Sequence, residues 1–143
     1  MTRPAPRGRD KYRWWHRASL RWGDNDAYGH VNNAIHYQWF DSAVNQWLVE
    51  AGLLDIAHGD PIGLVVDTGC RYFSALDYPG EVEVGIRVAQ LGRSSVTYQL
   101  GVFAPGTEAA AAEGHFTHVY VGRDSRRPVA LPEPWRAKLA ALS

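Results

Sequence analysis

The hydrophobic pattern of this 143-residue chain changes period at Gly52, and that change leaves few folds open. Before it, Tyr37, Phe40, Val44, Trp47, Leu48 and Ala51 recur at the three- and four-residue steps of one helix face. After it, Val82, Val84, Ile86 and Val88 alternate with Glu81, Glu83, Gly85 and Arg87, and Val96, Tyr98, Leu100 and Val102 repeat the alternation. The first pattern predicts one helix over 31–51, about 30 Å long, capped by Asn32 or Asn33 and stopped by Gly52. The second predicts sheet from 64 to 121, with turns at Gly92-Arg93 and Ala104-Pro105-Gly106-Thr107. Alternating strands bury one face, and the helix is the one long amphipathic element able to cover it. The expected class is α+β, a long central helix laid across an antiparallel sheet. An aromatic-rich strand over 11–22 precedes the helix and stops at Gly23-Asp24. A short helix within 131–142, opened by Pro132 or Pro134, closes the chain.

A chain of this length fits one domain. Its 15 basic and 15 acidic residues cancel, which argues against a general electrostatic grip on nucleic acid. The single cysteine, Cys70, cannot form a disulfide within the chain, as expected of a cytoplasmic protein. No run approaches the roughly 18 apolar residues of a membrane span, so no membrane association is expected. Residues 1–10 carry Arg3, Arg7 and Arg9 without an apolar stretch and read as a flexible arm rather than a secretory signal. Pro4 and Pro6 oppose the amphipathic helix of an organelle transit peptide.

The segment Asp24-Asn25-Asp26-Ala27-Tyr28-Gly29-His30-Val31-Asn32-Asn33 places acids, a glycine turn, a histidine and two asparagines immediately before the helix. The first N–H groups of a helix have no partner within it. A carboxylate close to them provides a base or nucleophile beside an anion-stabilising surface, the two parts that acyl transfer requires. Asp26 is equally suited to a turn or a cap. Asp24-Asn25-Asp26 also mimics the start of a calcium loop, but Tyr28 stands at the fifth position and Ile35 where the bidentate Glu belongs. His115 and His118, three apart in a strand, point to opposite faces, so no metal is expected.

A strand, then Asp-x-x-Gly entering a long helix, then an antiparallel meander resembles the hotdog fold, in particular the acyl-CoA thioesterases of the 4-hydroxybenzoyl-CoA thioesterase-like family. The resemblance spans nearly the whole chain and is sharpest at residues 24–33, at Asp67-Thr68-Gly69-Cys70-Arg71-Tyr72 and at Leu91-Gly92-Arg93-Ser94-Ser95-Val96-Thr97-Tyr98. It implies a single hotdog thioesterase domain over 1–143 that hydrolyses an acyl-CoA thioester to a free acid and coenzyme A. Asp26 matches the catalytic acid, and Asn33 matches the position whose backbone N–H polarises the thioester carbonyl. Arg93, Ser94 and Ser95 match positions that hold the coenzyme A nucleotide, and Tyr28 and Gly29 fall in the substrate-binding turn. The His-Val-Asn-Asn run is similar to plant acyl-carrier-protein thioesterases, where His30 would be catalytic, although Tyr28 replaces the Asn of that motif. Coenzyme A enters as part of the substrate and no separate cofactor is implied. An acyl carrier protein is an alternative thioester carrier.

Exposed sheet edges and a helix too exposed when alone suggest a homodimer or homotetramer, as the resemblance also implies. Two other readings attach to the same fold: a hydratase or dehydratase acting on acyl thioesters, and a non-catalytic acyl-CoA-binding module. A serine-hydrolase elbow at Gly92-Arg93-Ser94-Ser95-Val96 lacks its final glycine and lies in a hairpin. Cys70 reads as a small buried hydrophobe, and Trp39 and Trp47 as core or as walls of an acyl pocket. Arg71, Arg126 and Arg127 read as surface charges, with phosphate binding as the alternative.

Overall fold

The computed structural model describes residues 4–143. Five strands, β1 (Trp14–Ser19), β2 (Ile62–Tyr72), β3 (Glu81–Leu91), β4 (Ser95–Phe103) and β5 (Ala112–Val121), form one antiparallel sheet in the order β1-β3-β4-β5-β2. Helix α1 (Asn33–Glu50) lies across it, and α2 (Glu133–Ala140) closes the chain. This is the expected α+β hotdog arrangement. Among the described residues no helix is long and apolar enough to cross a membrane.

The alternation in β3 and β4 delivers Val82, Val84, Ile86, Val88, Val96, Tyr98, Leu100 and Val102 to one face, all essentially inaccessible to solvent. From the helix, Phe40, Ala43, Val44, Trp47 and Leu48 meet that face. Fully burying a side chain such as Phe40 is worth about 1.5–3 kcal/mol. Close approach depends on Gly114 of β5, where a Cβ would overlap the Phe40 ring. Trp39 and Trp47 are buried members of the same core.

Several boundaries differ from those expected. The predicted strand over 11–22 is shorter, because Arg9–Lys11 and Trp22–Asp24 each form a turn of 3-10 helix. The helix begins at Asn33 rather than 31, since Asn32 Oδ1 accepts from the Ala34 N–H at 3.0 Å and so caps it. Within the expected sheet of 64–121 a loop at 73–80 separates β2 from β3, and the expected turn at Ala104–Thr107 extends to residue 111. Within the expected arm 1–10, residues 1–3 lie outside the described residues. Beyond them the chain is tied to the sheet: the Arg7 backbone N–H donates to Glu113, Gly8 bridges Ala109, and Arg9 pairs with Glu83 at 2.9 Å.

Candidate active site

Residues 25–31 form a small hairpin ahead of α1. Asn25 bridges Val31, the Asp26 N–H donates to the His30 carbonyl at 2.8 Å, and Gly29 turns the chain at φ +84°. That backbone conformation disfavours any residue with a Cβ. The two nearby acids do different work. Asp24 is fully buried, and its carboxylate accepts from the Arg21 N–H at 2.8 Å and Arg21 Nε at 3.0 Å, while its carbonyl accepts from the Asn32 N–H at 2.8 Å. It anchors the start of the helix. Asp26 is partly exposed; Oδ1 accepts from the Tyr28 N–H at 2.9 Å, a local turn bond, and Oδ2 makes no hydrogen bond among the described residues.

Asp26 lines a cavity of about 360 Å³ together with Val31, Asn33, His36, Tyr72 and Leu76. The loop after β2 forms the far wall, held to the hairpin by the Val31 N–H on the Leu76 carbonyl at 2.8 Å. Capping occupies two of the first amides of the helix: the Ala34 N–H goes to Asn32 Oδ1 and the Ile35 N–H to the Asn32 carbonyl. Of these first three, only the Asn33 N–H makes no hydrogen bond among the described residues. It belongs to a residue on the cavity wall. The residues that bear a carboxylate and an uncommitted helix-terminal amide therefore line one cavity, and an acid with an amide is the combination that could stabilise an attacked carbonyl.

Two wall residues escaped the sequence reading. His36 is buried between Trp39 and Tyr72, edge-on to both, and its Nδ1 has no partner among the described residues. Burial pushes its pKa down to about 4, so the ring is neutral near neutral pH. The Tyr72 hydroxyl donates to the Asn33 carbonyl at 2.9 Å and fastens β2 to the first turn of α1. Burial, with smaller contributions from Cys70 and Tyr37, pushes the phenol well above its ordinary value. A signal for His36 was present, since it stands four residues before Phe40 on the buried face.

The other sequence-predicted residues are not gathered here. His30 lies outside the cavity lining, 56% exposed, with Nδ1 2.8 Å from Asp77 Oδ1. Tyr28 is 87% exposed. Arg93, Ser94 and Ser95 occupy the β3–β4 turn, where Arg93 Nη1 donates to Ser94 Oγ at 3.4 Å. The turn lies at the sheet end where Ser95 pairs with Val119, whereas Tyr72 lies at the level of Ala112 and Val102. Seven residues of β4 separate the two levels, about 24 Å at ~3.4 Å per residue. Cys70 faces the helix side of the sheet, and burial pushes its thiol up to about 11, which fits a packing role rather than a nucleophilic one.

The model of the thioesterase-like superfamily matches residues 20–139, a span that includes the hairpin, the helix and all of β2 to β5. The chain belongs to the thioesterase-like superfamily. Its activity class is thioester hydrolysis. The PA5185 protein of Pseudomonas aeruginosa PAO1 is 51% identical, with a TM-score of 0.93 over 98% of this chain and 97% of that one. The PA2801 protein of the same species is 27% identical, with a TM-score of 0.81 over 87% and 95%. A 1,4-dihydroxy-2-naphthoyl-CoA thioesterase from Synechocystis is 19% identical, with a TM-score of 0.79 over 88% and 94%, a likeness of fold. No curated protein matches the sequence.

Proposed function

We propose that the protein hydrolyses acyl-CoA thioesters with Asp26 as the catalytic carboxylate and the Asn33 N–H as oxyanion donor. The observation that carries this is that both residues line one cavity, with the Ala34 and Ile35 amides already occupied. Water adds its oxygen to the acyl carbon, the C–S bond breaks, and the products are a carboxylate, a thiol and a proton. Charge builds on the carbonyl oxygen during attack, and one oriented donor is typically worth about 2.7–4 kcal/mol there. Asp26 either takes the proton from the attacking water or attacks the carbonyl itself to form a mixed anhydride. A thioester is activated enough for an ordinary carboxylate to serve in either role. The neutral His36 ring adds an uncharged hydrogen-bonding wall, and Tyr72 holds the oxyanion amide in place.

Arg93, Ser94 and Ser95 serve this reaction from a second copy of the chain. β2 is an edge strand, and antiparallel pairing of two β2 edges places the Ile62 end of one against the Tyr72 end of the other. The turn that lies about 24 Å from the cavity within one chain then approaches the cavity of its neighbour. Coenzyme A phosphates meeting Arg93 there would form charge-assisted bonds.

Thiol release from a panel of acyl-CoA and acyl-carrier-protein substrates tests the reading, followed by a single turnover in oxygen-18 water. Label in Asp26 supports the nucleophilic route, and label only in the product acid removes it in favour of the general base. Absence of thiol release across the panel overturns hydrolysis at this site.

A further inference from the structure

A second cavity, about 560 Å³, opens beside the C-terminal half of α1 and shares no lining residue with the Asp26 cavity. Its walls are largely apolar, from Leu48, Leu53, Leu54, Ile56 and Ile62. The floor is different. His118 and Tyr120 of β5 reach it, 3% and 2% exposed; His118 Nδ1 lacks a hydrogen-bond partner among the described residues, and the Tyr120 hydroxyl has only the buried Tyr98 hydroxyl for a neighbour, with which it makes no bond of normal geometry. Leaving such groups buried and unpaired costs a fold free energy, and most native buried polar atoms are satisfied.

Gly63 of β2 keeps the approach to them open. A Cβ at this lining position would come within 3.1 Å of His118 Nδ1 and 3.3 Å of Tyr120 Cε1, tight enough to crowd both rings. Its φ lies outside the left-handed region, so the backbone does not require glycine here. Space does.

The polar floor is uncharged. Burial holds His118 neutral, with its pKa down to about 4, and pushes the Tyr120 phenol up to about 12. At the rim, Arg123 is committed to the loop carbonyls of Gly59 and Ile56, and Asp41 Oδ1 accepts from Asn45 Nδ2 at 3.1 Å. Neither charged group pairs with His118 or Tyr120, so the floor itself carries no charge.

We propose that this cavity binds an apolar group ending in an uncharged hydroxyl, which pairs with His118 Nδ1 and the Tyr120 hydroxyl. A hydroxyl both donates and accepts, so it satisfies these two groups whichever ring nitrogen of His118 carries the proton. The hydroxyl belongs either to a free phenol or alcohol, or to the far end of an acyl chain whose thioester lies at Asp26 of a second copy, because within one chain this cavity lies at the Ile62 end of β2 and the Asp26 cavity at the Tyr72 end. Only the second source rests on the hydrolysis proposed above.

Titration of the full chain with 4-ethylphenol and with ethylbenzene, followed by NMR, tests the shared chemistry without reference to catalysis. The expected preference for the phenol is about tenfold, the order of one buried hydrogen bond. His118→Phe should abolish that preference while keeping the ring volume, and Gly63→Ala should weaken both ligands. Equal binding of the two probes, or a phenol preference that survives in His118→Phe, would overturn the proposal. Should His118→Phe not fold, Tyr120→Phe takes its place, with the phenol preference expected to fall and an unchanged preference refuting the proposal. The sources are separated by the ratio of kcat/KM for a terminally hydroxylated acyl-CoA over its plain counterpart. A ratio that falls about tenfold in the same variant assigns the hydroxyl to the substrate. A constant ratio, with the phenol preference lost, assigns it to a free ligand.

Discussion

Lowering the pH from 8 to 5 should destabilise this fold by about 4 kcal/mol, through two histidines that are buried without their charge. His36 and His118 are 4% and 3% exposed, and burial lowers each pKa from 6.5 to about 4. In the unfolded chain both rings take up a proton near pH 6.5, whereas in the folded chain they resist until about pH 4. The unfolded state therefore binds more protons across this window, and stability is complete above pH 6.5 and lost as the pH falls. The full gap is worth about 3 kcal/mol per ring below both values and about 2 kcal/mol at pH 5. His16, lowered by burial against the opposing Glu50 charge, adds to the same slope. Urea denaturation at half-unit pH steps measures the effect, with His36→Phe and His118→Phe each expected to remove about half of it. A change in unfolding free energy below about 1 kcal/mol between pH 8 and 5 would falsify the assignment of both rings as buried and neutral.

Other expectations follow from single contacts. Gly114→Ala drives a methyl into the Phe40 ring and should cost about 1–3 kcal/mol in urea titrations; a neutral result would mean that the helix moves freely over β5. Asp24→Ala removes the buried carboxylate that holds the Arg21 N–H and Nε and should cost about 1–3 kcal/mol with kcat of the folded protein largely retained. A loss of kcat with stability intact would reverse the roles given to the two acids. Sedimentation should show a dimer or tetramer that Val66→Glu, at the exposed bulge of the β2 edge, weakens at least tenfold. A concentration-independent monomer would refute pairing through β2.

The elements with a single dominant pattern were legible in the sequence. α1 buries the face spaced at three and four residues, and β3 and β4 alternate because one side faces the helix and the other does not. β2 was harder to delimit, since it lies at the sheet edge with Val65 and Val66 half exposed and a bulge between Val65 and Asp67, so its alternation slips. Local order, in which a turn, a cap and a helix start follow one another, put an acid beside free helix amides, and the family resemblance singled out Asp26 and Asn33. The remaining cavity wall was not legible in this way, because His36 and Tyr72 meet across 36 residues of chain and only the pairing of β2 with β5 fixes where Tyr72 arrives. For the same reason the turn at Arg93 read as part of one site, although strand length sets it at the opposite end of the sheet.

The account depends most on Asp26. Replacing it with Asn keeps the oxygen that accepts the Tyr28 N–H, so the hairpin and the thermal midpoint should be preserved. Thiol release from the best acyl-CoA substrate should fall by about 10²–10⁴ in kcat. Hydrolysis at the wild-type rate by a folded Asp26→Asn protein would contradict the assignment and move the chemistry away from the head of α1.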